Sequence, residues 1–236
     1  MRIATPPATA AAALACASAL ACSSRPAAPI LNYHAVGAPD RSSGQDLTAP
    51  EFERQLDWLA GAGWHTLTLE EVVERRKVAG GVALTFDDGS EDALRVVLPA
   101  LKKRGMKGTF FVITGLVGTP GYLTWDGVRA LEKAGMAIGS HTVHHPRLPD
   151  LPRGQALAEL VESKRELEGR LGHPVELLAY PYNSLRRVTV SLAKEAGYRI
   201  AVAGPAHGTA DRLRLYRIPV QRGMGLEQME AELKRY

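Results

Sequence analysis

Cysteine is almost missing from this chain. Only Cys16 and Cys22 occur, both within the first 22 residues, so everything beyond them is without a disulfide. A domain with no cross-links must be stabilised by its core, and the ~210 residues that follow are ample for one. Runs of like charge are missing too. The 29 Lys and Arg and 25 Asp and Glu are scattered, with a formal net charge of +4. Scattered charge reads as a solvated basic surface rather than a site for an anionic polymer, and no nucleic-acid partner is expected. Low-complexity segments and internal repeats are absent after residue 28. With 45% hydrophobic and 23% charged residues, the composition is that of one globular domain.

The apolar run at residues 8–22 is almost all Ala, Leu, Cys and Ser. It is shorter than the ~20 residues a membrane-spanning helix needs. Behind Arg2 it has the length of a secretory signal, with Ala19-Leu20-Ala21 as a small-residue cleavage site. Cys22 directly after that site gives a second reading, a bacterial lipoprotein signal in which Cys22 becomes the acylated first residue. Ala19 speaks for plain secretion, because such signals usually carry a larger aliphatic residue there. Residues 1–21 are thus expected to be a signal, 22–29 a linker and 30–236 the catalytic domain. The protein is expected to be exported as a periplasmic, cell-envelope or extracellular monomer, touching a membrane only through a lipid on Cys22.

From Ile30 onward strand and helix patterns alternate. Strands are expected at Ile30–His34, Trp64–Leu69, Val82–Phe86, Gly108–Thr114, Met136–Ser140, Glu176–Tyr180, and near Tyr198–Val202 and Tyr216–Val220. Helices are expected to open at the capping box of Thr48 and Glu51, then at Glu70–Lys77, up to Arg104, at Trp125–Ala134, 154–171, Leu185–Ala196 and Leu226–Lys234. Repeated strand–helix units with apolar strands imply a parallel sheet covered by helices. The fold class is α/β, a distorted barrel of seven or eight such units in one domain, with an open doubly wound sheet as the runner-up.

Two clusters carry chemistry. Asp87-Asp88-Gly89 ends the apolar strand Val82–Phe86. Adjacent side chains point in different directions, so one carboxylate can bind a metal while the other faces substrate; which does which stays open. Turn and cap chemistry is the plain alternative. The second cluster, Ser140-His141-Thr142-Val143-His144-His145-Pro146, packs three of seven histidines into five residues after another strand. His141 and His145, four apart, converge if the loop turns once. Both clusters lie at C-terminal strand ends, where parallel α/β folds gather their active sites. One Asp and two His form a facial set that leaves positions open, as catalytic rather than structural metal sites do.

Thr85-Phe86-Asp87-Asp88-Gly89, followed by Ser140-His141-Thr142-x-x-His145-Pro146, resembles the polysaccharide deacetylases of carbohydrate esterase family 4. Tyr180-Pro181-Tyr182-Asn183 is similar to that family's third motif. Leu31-Asn32-Tyr33-His34, the Phe52–Leu59 helix, Glu162-Ser163-Lys164 and Tyr216–Val220 resemble the branch acting on poly-N-acetylglucosamine. The resemblance implies Asp87 as general base and Asp88, His141 and His145 as ligands of one divalent ion. Zinc is the default, with cobalt, nickel, iron and manganese also suited. It implies metal-assisted hydrolysis of an acetylated polysaccharide, with the Tyr182 backbone N–H, next to Pro181, at the oxyanion.

This chain departs from the family at three points. Ala179 stands where an Arg usually orients the base, and Asn183 stands for the usual closing Gly. Leu213-Arg214-Leu215-Tyr216 lacks the late His that serves as acid. Arg217 is expected to orient Asp87 instead. His34 is a candidate pocket residue, with packing as the alternative, while His65, His173 and His207 read as structural or exposed. Tyr33, Trp125 and Tyr182 are candidate sugar walls, with core packing the alternative for Trp125. Two other functions are weighed: an O-acetyl esterase on a xylan-type polymer, and a non-catalytic glycan-binding protein on this scaffold.

Overall fold

The computed structural model describes residues 28–37, 45–74, 78–205 and 209–236. The signal segment, Cys22 and His207 lie outside them. Nine strands, all parallel, form one sheet in the order β8-β7-β6-β5-β4-β3-β1-β9, with β2 beside β3. They are β1 (Ile30–Tyr33), β2 (His65–Leu67), β3 (Gly81–Phe86), β4 (Thr109–Val112), β5 (Ala137–Ser140), β6 (Leu177–Ala179), β7 (Ile200–Ala203), β8 (Leu215–Tyr216) and β9 (Ile218–Pro219).

The two edges of that path are consecutive in sequence. β8 pairs with β7 and β9 with β1, and only Arg217 separates them. The expected single strand at Tyr216–Val220 is therefore a seam. Its first half finishes one edge and its second half the other, which closes the sheet into a nearly complete barrel and excludes the open doubly wound form. Packing also begins ahead of Ile30. Ala28, assigned to the linker from sequence, is buried, and Pro29 O accepts a bond from Ala83 N–H at 2.9 Å.

Around the barrel run α1 (Ala49–Gly61), α2 (Leu69–Glu74), α3 (Leu98–Lys103), α4 (Trp125–Lys133), α5 (Arg153–Leu171), α6 (Arg187–Glu195) and α7 (Leu226–Leu233). The capping box opens α1: Glu51 N–H donates to Thr48 Oγ1, and Thr48 N–H donates to Glu51 Oε2 at 2.8 Å. One difference is instructive. The helix expected up to Arg104 starts with a wide π turn, Ala93–Val97, before α3. Pro99 sits in the first turn of α3, where its missing N–H and its ring cost least.

Strand alternation sorts the core into two layers. Ile30, Ala83, Phe111, Leu177, Ala179, Ile200, Val202 and Leu215 form one cluster that fills the barrel. Leu31, Leu84, Phe86, Phe110 and Ile138 belong to another, packed under the helices with Phe52, Leu56 and Leu131. In that outer layer Phe86 stacks on Tyr33 at 5.3 Å and on Phe110 at 4.7 Å. Aromatic pairing of this kind adds ~0.5–1.5 kcal/mol beyond area burial. It anchors the strand end from which Asp87 emerges.

Candidate active site

Period-two alternation carries the inward register past the apolar layer. On β3 it runs Ala83, Thr85, Asp87; from β1 it runs Ile30, Asn32, His34. Asn32 lies directly opposite Thr85 in the ladder. The floor of the site is thus polar where the strands end.

Asp87 is only 4% exposed. Arg217, fully buried at 0%, reaches in from the seam and grips the carboxylate with both arms. Nη1 donates to Oδ1 and Nη2 to Oδ2, each at 2.8 Å. Asn32 Nδ2 donates to Oδ2 at 3.0 Å, and Arg217 Nη2 also donates to Asn183 Oδ1 at 2.8 Å. Burial opposes ionisation of Asp87, but Arg217, His141 and His34 outweigh it and hold the carboxyl well below the usual carboxylate range. Ala179, on the inward face of β6, is packed in the inner apolar cluster, and Arg217 supplies the guanidinium from the seam instead.

Asp88 departs from the strand register. Its φ of 72° turns the chain, and its part-buried carboxylate points to the histidine loop. His141 Nε2 and His145 Nε2 lie 3.2 Å apart, and Asp88 Oδ1 is 3.6 Å and 3.7 Å from them. Three ligands bound tetrahedrally at ~2.1 Å stand ~3.4 Å apart, so the three donors suit one ion. His141 Nδ1 is 2.8 Å from Ala179 O. A carbonyl only accepts, so Nδ1 carries the proton and Nε2 keeps its lone pair for a metal. Burial, followed by the nearby His141, pushes the His145 pKa down to about 4, which keeps that ring neutral at pH 7. Among the described residues these three form the one cluster able to hold a metal ion.

The backbone is strained at this spot and nowhere else among the described non-glycine residues. Asp88, Thr142, His145, Tyr182 and Asn183 all have positive φ, between 51° and 72°. Each left-handed residue costs ~1–2 kcal/mol, a strain that clusters where geometry matters more than stability. Gly204 permits the last of these, because a Cβ there would meet the Asn183 side chain at 2.7 Å.

The remaining sequence candidates separate clearly. Tyr182 is 58% exposed, with its ring 4.6 Å from that of His145 and Arg147 Cζ 5.6 Å above it. Pro181 is buried beneath it. Tyr33 is not a sugar wall: alternation turns it outward into the aromatic stack, and it is 1% exposed. Trp125 packs against the core beside Arg170. His34 Nε2 is 3.9 Å from Asp87 Oδ2, and with Asp87, Ser90 and Asp92 it lines a small cavity. His65 is exposed, and His173 pairs with Glu132 at the surface. The sequence reading missed Asn32, which the same period-two count from His34 would have found. It also missed Asn183 as an acceptor for Arg217, for which the sequence carries no signal.

A cavity of about 620 Å³ lies elsewhere. It is lined by Ser191, Lys194, Tyr198, Arg199, Asp211 and their neighbours, at the strand-entry end of β7. The two motif clusters gather instead at the strand exits.

The sequence profile described as polysaccharide deacetylase matches residues 74–201, a span holding both motif clusters. YxkH of Bacillus subtilis (strain 168), named as a polysaccharide deacetylase, is 32% identical over 206 residues, covering 83% of this chain and 72% of YxkH. The poly-beta-1,6-N-acetyl-D-glucosamine N-deacetylase of Staphylococcus aureus (strain MSSA476) is 25% identical over 171 residues, covering 65% of this chain and 59% of its own length. Among solved structures, Streptococcus pyogenes deacetylase PplD in complex with acetate superposes with a TM-score of 0.80 at 29% identity, covering 87% of this chain and 97% of PplD. With the profile and YxkH agreeing over most of its length, this chain belongs to the polysaccharide deacetylase family.

Proposed function

We propose that this chain is a metal-dependent hydrolase that removes N-acetyl groups from an N-acetylglucosamine polymer. The observation that carries the reading is the convergence of Asp88, His141 and His145 donors, 3.2 to 3.7 Å apart, beside the ionised Asp87. The staphylococcal relative, named for poly-beta-1,6-N-acetyl-D-glucosamine, supports the choice of polymer.

Asp88, His141 and His145 would hold one divalent cation, zinc by default. When bound, such an ion polarises a carbonyl and lowers the pKa of water from ~15.7 towards ~7. Asp87 accepts the proton of the attacking water. Arg217, bonded to both of its oxygens, fixes the carboxylate's orientation and keeps it ionised, the form that can accept a proton. The Tyr182 backbone N–H, placed by its left-handed turn, donates to the developing oxyanion. His34, 3.9 Å from Asp87 Oδ2, is a titratable group beside the base that joins neither the ligand set nor the Arg217 clamp. It supplies the proton to the leaving nitrogen. Export through residues 1–21 and an acyl anchor at Cys22 belong to the same reading, and fatty-acid labelling of wild-type and Cys22→Ala protein tests the anchor.

The test is acetate release from chitin oligomers, poly-β-1,6-N-acetylglucosamine, peptidoglycan and acetylxylan, each with and without a chelator. Release from an N-acetylglucosamine polymer, abolished by chelator and restored by zinc, is expected. Binding without release in metal-replete protein, or release confined to acetylxylan, would contradict the reading.

A further inference from the structure

The loop that carries both histidines does not hold itself. Thr142 and His145 are left-handed, at φ 67° and 57°, so the loop needs anchoring from outside. One wall is backbone: Thr114 N–H donates to Thr142 O at 3.1 Å and Gly115 N–H to Val143 O at 2.9 Å. Gly115 is required there, because a Cβ would stand 2.6 Å from Val143 O.

The other wall is α5. Glu159 Oε2 accepts two bonds, from Val143 N–H and His144 N–H, each at 2.9 Å, while Oε1 lies 2.8 Å from His144 Nδ1. One turn further along the same face, Ser163 Oγ is 2.8 Å from Ser140 Oγ, which accepts from Thr142 N–H at 3.1 Å. Inside the loop, His145 N–H donates to Thr142 Oγ1 at 3.1 Å. Three consecutive amides, Thr142 to His144, are therefore tied to α5 directly or through Ser140. His141 sits just before them and His145 just after.

We propose that Glu159 is a positioning residue that sets the metal affinity of the site by fixing the loop between its two histidine ligands. Glu159 makes no contact with the donor atoms themselves. Its effect comes from reach: the carboxylate must span from the helix to two adjacent backbone N–H groups. Loss of groups that orient metal ligands typically costs 10–100-fold in affinity. The inference rests on the metal reading above, and the test separates the two.

Zinc affinity is measured by competition with a chromophoric chelator on the metal-free full chain, alongside the melting temperature of the metal-free protein. Glu159→Ala is expected to raise the zinc Kd about 10–100-fold, with a smaller change in metal-free melting than in affinity. Glu159→Gln keeps an oxygen at the same reach and should stay within a few-fold of wild type. Glu159→Asp keeps the charge but falls short of the amides, and should behave like Ala. The Gln and Asp pair decides the matter even if Ala fails to fold. The proposal is overturned if Asp retains wild-type affinity, or if Gln loses as much as Ala. A wild-type chain that takes up no zinc would overturn the metal reading together with this one. Tight binding by wild type and Glu159→Asp alike would remove this inference alone.

Discussion

Asp87 and Asp88 are neighbours in sequence and opposites in environment. Asp87 continues the inward alternation of β3 into the barrel, where Arg217 and Asn32 saturate it with donors. Asp88 leaves the pleat through a left-handed residue and meets two imidazole nitrogens, with no Lys or Arg paired to it among the described residues. One carboxylate has its positive partner built in; the other completes a donor set that lacks one. The pleat of one strand end thus separates the proposed proton acceptor from the proposed ligand, though the two side chains start from adjacent Cα atoms.

The sharpest way to break that comparison is to neutralise each acid in turn. Asp87→Asn should cut acetate release about 10²–10⁴-fold, the range for loss of a general base. Asp88→Asn should abolish release by emptying the ligand set, and excess zinc should recover part of it. Equal rescue of both variants by zinc would show that the two acids share one role.

Arg217→Ala tests the built-in cation. It leaves a buried, unpaired carboxylate and should cost about 3–5 kcal/mol in urea unfolding. Arg217→Lys should recover little, because an ammonium cannot bond both oxygens in the plane of the carboxylate. A tolerated Arg217→Ala would mean that Asp87 is solvated, and the contrast with Asp88 would vanish. Asn32→Ala removes one hydrogen bond to a charged group and should cost about 1.5–3 kcal/mol by the same measurement.

The smallest effect is a pH slope. His145 titrates near 4 in the folded chain against an ordinary value of 6.5. Between those values the unfolded chain binds a proton that the folded one does not, so metal-free stability should fall as pH drops through that window. His145→Ala should flatten part of the slope. Asp87 acts in the same sense at lower pH: its depressed carboxyl stabilises the fold above the ordinary carboxylate pKa, and that contribution is lost progressively as pH falls below it.

Much of this was legible in the residues. The strand and helix alternation, the capping box at Thr48 and the two motif clusters all follow from local pattern, whereas the expectation that Arg217 faces Asp87 comes from the family resemblance, through the arginine missing at Ala179. Three things were not. A barrel seam at Leu215–Pro219 reads from sequence as one strand, because nothing local says that its halves pair with opposite edges. Tyr33 looked like a pocket residue beside His34, yet pleating sends neighbours to opposite faces, and Asn32 and His34 share the inward one. Glu159 is one of four glutamates in α5, and only the tertiary fold brings its carboxylate to the loop amides.

The central claim is that one cation sits on Asp88, His141 and His145 while Asp87 stands apart from it. Zinc content per chain in wild-type, Asp87→Asn and Asp88→Asn protein tests this most directly. The account predicts one zinc in the first two and none in the third. An Asp87→Asn chain stripped of zinc, or a wild-type chain that never binds it, would contradict the account.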